Sequence, residues 1–155
     1  MDTIENLTET ACKTLAIQTI VSQSLNISTG SVYTFLGNDT KEPLNSDGTP
    51  GPYLTCHAEL AERAVSNTRI DWWKVKTNIV LVQPMHESDY LTRGLIANNI
   101  FDAFLNVSGS YNLTNTISGS FTCGDVYDET YTNATIEGEW VQMVTFTMLA
   151  SPNKT

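Results

Sequence analysis

WWKVKTNIVLVQPMHESDYLTRGLIANNIFDAFLN, residues 72–106, is the stretch whose reading decides the fold. Its first part alternates. Trp73, Val75, Thr77, Ile79 and Leu81 fall on one face, and Trp72, Lys74, Lys76 and Asn78 on the other, until Val80 and Val82 make that second face apolar too. A period of two predicts a strand, here half exposed at its start and buried on both faces at its finish. Pro84 has no N–H to donate and stops the ladder. The period then changes: Tyr90, Leu91, Leu95, Ile96, Ile100, Phe101, Phe104 and Leu105 recur at helical spacing. Glu87 or Ser88 can cap that helix, and Glu87 and Asp89 suit the positive end of its dipole. Gly94 costs about 1 kcal/mol relative to Ala, which the apolar face offsets.

Upstream, Asp2 and Glu5 frame a capping box. Ile4, Leu7, Ala11, Leu15, Ile17, Ile20 and Val21 then paint one face of a helix to about Ser24, lying against a sheet. SVYTFL (31–36) reads as a short strand. GNDTKEPLNSDGTPGP (37–52) is dense in turn formers and predicts an extended surface loop. YLTCHAE (53–59) resumes extended structure, and LAERAVSNTR (60–69) fits either a helical turn or the arms of a hairpin. Downstream, strand material surrounds Ile117 and Phe121, Asp125 to Asn133 reads as a polar loop, and a last strand runs from Ile136 to about Ala150. Its face of Trp140, Gln142, Val144, Phe146 and Met148 is opposed by Val141, Met143 and Leu149, the mark of an interior strand. SPNKT is a polar tail. The order predicts one α+β domain over 1–155: a mostly antiparallel sheet packed against an N-terminal helix and a long central helix, with long surface loops.

Seventeen acids against eight bases leave a net charge of −9, with no run of Lys or Arg. Neutralising phosphates needs clustered cations, so sequence-independent nucleic-acid binding is disfavoured. The three cysteines, Cys12, Cys56 and Cys123, are widely spaced and form no CxxC, which fits a reducing cytoplasm better than a disulfide framework or zinc site. The opening MDTIENLTET is acidic and polar, unlike a secretory leader. No apolar run approaches the roughly 20 residues that span a bilayer. Seven N-x-S/T sequons, beginning at Asn6, Asn26, Asn38, Asn106, Asn112, Asn133 and Asn153, would be glycan acceptors in a secreted protein. A chain rich in Asn, Ser and Thr also generates them by chance.

Reactive constellations are scarce. Cys56 and His57 are adjacent, but neighbours on a strand point to opposite faces and do not make a nucleophile–base pair. His86 stands with Glu87 and Asp89 where capping explains the acids, and DVYDE (125–129) lacks the glycine and terminal glutamate of a calcium loop. The expectation is a non-enzyme with no catalytic residue, metal or cofactor. Trp72 and Trp73 draw more attention, because adjacent tryptophans on a strand do not both face one core. They are interface candidates with Lys74 and Lys76, and with Asp47 and Thr49 in the 37–52 loop.

The linear order resembles the tail-terminator and tail-completion proteins of long-tailed bacteriophages. The resemblance spans most of the chain: a short N-terminal helix, a loop into a Pro52–Tyr53 strand, KVKTNIVLVQP before ESDYLTRGLIANNIFDAF, a polar region, and the C-terminal WVQMVTFTMLA. It implies a virion structural protein assembled in the bacterial host cytoplasm, with no membrane involved. Such a protein forms a ring, typically of six copies, that caps the tail tube, ends tube polymerisation and offers the head-joining surface. Implied partners are copies of itself, the tube protein and a head-completion or stopper protein, with DNA passing through the lumen without specific binding. A stopper of the same neck is the alternative, and a secreted glycoprotein a more distant one.

Overall fold

A computed structural model describes residues 3–35, 51–66, 71–84, 90–105 and 121–152. In chain order they form α1 (Ile4–Ser22), a 3₁₀ turn (Thr29–Ser31), β1 (Val32–Thr34), β2 (Tyr53–Ala58), β3 (Glu62–Ser66), β4 (Asp71–Pro84), α2 (Tyr90–Leu105), β5 (Phe121–Ile136) and β6 (Glu139–Pro152). The expected α+β class is observed: two helices and a six-stranded mixed sheet, antiparallel except where β1 runs parallel to β2.

The sheet order is β1-β2-β4-β6-β5, with β3 also on β4. β4 is the axis. One side pairs with β6 from Trp73↔Ala150 to Pro84↔Glu139, and the other is shared by β2 (Tyr53↔Val82 to Ala58↔Thr77) and β3 (Glu62↔Lys74 to Ser66↔Asp71). LAERAVSNTR therefore contributes a strand, and β2 and β3 are a single extended course interrupted at residues 59–61.

Alternation along β4 sorts its side chains as the sequence implies. Val75, Thr77, Ile79 and Leu81 are wholly buried and meet Leu54 and Cys56 of β2 and Val144, Phe146 and Met148 of β6 in one core. Both helices cover this face. Ala11, Cys12, Ala16 and Ile20 come from α1 and Ile96, Ala97, Ile100, Phe101 and Phe104 from α2. Phe104 stacks on Phe146 at 6.2 Å between centroids, a pair worth about 0.5–1.5 kcal/mol beyond its burial. Leu95, expected on the apolar stripe of α2, is instead 62% exposed. The stripe is narrower than its spacing implied.

The N-cap of α1 is Thr3, whose Oγ1 accepts from the Asn6 N–H at 3.1 Å, in place of the expected Asp2–Glu5 box. Glu5 is used elsewhere, as described below. Threonines inside the helix return their hydroxyls to the preceding turn, Thr8 to the Ile4 carbonyl and Thr19 to that of Leu15, both at 2.8 Å. The helix ends in a Schellman turn: Ser24 takes φ 51°, its N–H donates to the Val21 carbonyl and the Leu25 N–H to that of Ile20.

The C-terminal third departs most from expectation. Asp125 to Asn133, read as a polar loop, lies within the sixteen-residue β5. Two register shifts, at Cys123/Val126 and Tyr127/Thr130, accommodate its polar residues as bulges, with Asp128 at φ 56°. Ile136 ends β5 and does not begin the last strand, since Glu137 (φ 50°) and Gly138 (φ 78°) make a two-residue turn of positive φ between β5 and β6. Ser151 and Pro152, expected in a polar tail, continue β6 opposite Thr122 and Phe121. The 37–52 loop except 51–52, the residues around Ile117, and His86 to Asp89 lie outside the described residues.

Candidate interaction surface

β4 separates the two tryptophans. Trp73 lies on the helix-covered face, half-buried against the core, with the Arg63 guanidinium of β3 4.8 Å above its ring. This cation–π stack is worth about 0.5–1 kcal/mol at such a site. Trp72 lies on the other face with Lys74 and Lys76, both exposed. Lys76 Nζ is 3.7 Å from Glu59 Oε2, an exposed pair of little energetic weight. So the strand gathers Trp72, Lys74 and Lys76 on one surface and sends Trp73 to the other. Asp47 and Thr49 lie outside the described residues.

Among the described residues no helix covers the Trp72 face. It continues through Asn78, whose Oδ1 accepts from Thr145 Oγ1 at 2.7 Å, to half-buried Val80, Val141 and Met143. At the β1 edge Tyr33 meets Tyr53 edge-on at 6.4 Å, and Phe35, 55% exposed, packs on His57 at 4.3 Å. The face thus carries Trp72 and two lysines at one end of β4, turns apolar towards Val80, buried Val82, Val141 and Met143, and is aromatic at the β1 edge.

Cys56 and His57 point apart as alternation requires. Cys56 is fully buried, and burial, then the nearby Glu9 carboxylate, push its thiol well above the ordinary range, only partly offset by Lys13. His57 packs at a tilt against Phe35 on the opposite face. Among the described residues no cluster of three or more His, Cys, Asp or Glu side chains is placed to hold a metal ion. No helix among them is long and apolar enough to cross a membrane.

Two features had no warning in the sequence. The first is at the interruption between β2 and β3. Glu9 of α1, 1% exposed, accepts the Ala58 N–H at 2.9 Å, and Glu5, one turn earlier, accepts the Ala61 N–H at 2.8 Å. The helix thereby satisfies main-chain donors of the broken strand course, while the Glu59 N–H still reaches the Lys76 carbonyl at 2.8 Å. An acid pair at i, i+4 on an amphipathic helix looks like solvated surface until the strand it faces is known. The second is the outer edge of β5, where Thr130 to Glu137 are exposed apart from Ala134. Tyr131 there touches Phe101 at 6.3 Å, and partial burial, Asp102 and Glu129 raise its phenol above the ordinary range.

No protein-family model matches the chain, and no curated protein matches it.

Proposed function

We propose that this chain is a structural subunit that works by self-assembly, a ring-forming tail-terminator protein that caps a bacteriophage tail tube, stops its growth and presents the head-joining surface. The observation that carries the reading is the two-layer build. Helices close one face of the sheet, and the other face presents Trp72, Lys74 and Lys76 with no covering element among the described residues. Head-to-tail contacts in a ring need two unlike patches on each copy. The open sheet face is one, and the outer side of the helices, with exposed Val21 and Leu95, supplies the other. The element order that resembles the tail-terminator family supports the same reading, and the net charge of −9 suits a lumen through which DNA slides without sticking.

The test is to mix the purified protein with polymerising tail-tube protein and measure tube lengths by negative-stain microscopy. A terminator arrests growth and appears as a ring at one end of each tube. Tubes of unchanged length with no terminal ring would overturn the proposal, and binding to the portal side instead would favour a stopper of the same neck.

A further inference from the structure

The outer edge of β5 has a design of its own. From Thr130↔Thr145 to Ile136↔Glu139 its pairing with β6 is regular, and among the described residues β5 pairs with no other strand. This seven-residue run, TYTNATI, holds no charge, proline or glycine and is rich in β-formers. In a regular antiparallel strand about half of the residues turn their N–H and C=O outward, so the edge is a ready template for one more strand. It is bounded by the bulge at Asp128 and Glu129 and by the turn at Glu137, all three exposed.

Those acids decide what can dock. Glu129 lies in the bulge and Glu137 in the turn just past the strand, so two copies pairing antiparallel about Asn133 would bring Glu129 of each close to Glu137 of the other, and parallel in-register pairing would bring each acid close to its own copy. Like charges gathered at both ends of the run disfavour pairing with itself. The opposite edge of a second copy fits no better: β1 has three residues, and β3 has five with Glu62 beside Arg63. We infer that the β5 edge accepts an extended segment of a different protein, neutral in its middle and carrying Lys or Arg at both ends. The two cations sit eight positions apart, matching Glu129 and Glu137, or about 27 Å at ~3.4 Å per residue. Main-chain hydrogen bonds along residues 130–136 hold the guest, and the end charges select it and fix its register. The inference rests on this edge alone and does not depend on the ring reading.

The probe is a nine-residue peptide with Lys at both ends and alternating Thr and Val between, added to the full chain and followed by amide chemical shifts. Shift changes confined to the 130–136 edge are expected. The Glu129→Lys/Glu137→Lys double variant, which alters two exposed side chains, should weaken binding about tenfold as two cross-strand pairs turn from attractive to repulsive, and should gain affinity for the same peptide with Glu ends. A proline at the centre of the peptide should abolish binding by removing a ladder N–H. No binding, binding indifferent to the end charges, or shifts centred on another strand would each overturn the inference. Circular dichroism of the double variant guards against loss of fold.

Discussion

Replacing Glu9 by alanine tests the most unusual contact in the molecule. The carboxylate is buried and accepts the Ala58 N–H at 2.9 Å. A hydrogen bond to a charged group contributes about 1.5–3 kcal/mol, and a buried donor left unsatisfied costs about 1–3 kcal/mol, two descriptions of largely the same loss. Removing the side chain also opens a small cavity and relieves the carboxylate's own desolvation, terms of opposite sign. The expected net loss for Glu9→Ala is about 3 kcal/mol, a fall in Tm of roughly 6–12 °C for a domain of this size. Glu9→Gln keeps an acceptor oxygen and should cost about 1 kcal/mol, as should Glu5→Ala, whose bond to Ala61 is only partly buried. Urea unfolding at neutral pH measures all three, and hydrogen exchange at the Ala58 amide isolates the bond itself. If Glu9→Ala costs no more than Glu5→Ala, or the Ala58 amide keeps its full protection in that variant, the carboxylate is not what secures the interrupted strand and the reasoning fails.

Two turns give opposite expectations. Gly138 sits at φ 78°, so Gly138→Ala should destabilise by about 1 kcal/mol, whereas Ser24 at φ 51° is an L-residue where glycine is at ease, and Ser24→Gly should stabilise by a few tenths to about 1 kcal/mol. Paired chemical-denaturation curves decide both signs. The Cys56 thiol, pushed up by burial, stays protonated in the folded chain while the unfolded thiol ionises near its ordinary 9.0. Its contribution to stability is therefore complete below pH 9 and falls away as the pH rises beyond it, and native Cys56 should resist alkylation at pH 8 until the chain is unfolded. Rapid labelling without unfolding would contradict the buried placement. Trp72→Asp should leave the fold intact, because the ring lies on the open face, and should abolish the self-association proposed above, as read by sedimentation velocity. Global unfolding of that variant would place the ring in the core.

What the sequence made legible follows the strength of its periodicities. β4 and α2 could be read because each keeps one period over a dozen or more residues, and the interior position of β6 was visible in its two apolar faces. β5 was hidden. Asp125 to Asn133 is polar because the strand is an edge with exposed residues and bulges, and a strand with little to bury carries no hydrophobic alternation. β3 was ambiguous for a related reason, being short and mixed in charge. The surface was only half legible. Adjacency on a strand predicted that Trp72 and Trp73 part company, yet nothing local marks Arg63 as the partner over Trp73, or Glu5 and Glu9 as acceptors for donors 56 and 49 positions away. Such contacts depend on which strand the tertiary fold brings beneath the helix.

The position of β6 carries a consequence for biosynthesis. Among the described strands it comes last in sequence yet sits between β4 and β5, so one side of β4 and the whole of β5 stay unpaired until β6 has been made. Before then β4 can collect only β2 and β3, and the long β5 has nothing to pair with. Closure of the sheet thus waits for β6, and deleting that strand would remove the middle of the sheet, leaving aggregation-prone strands where trimming an end strand would leave a smaller fold.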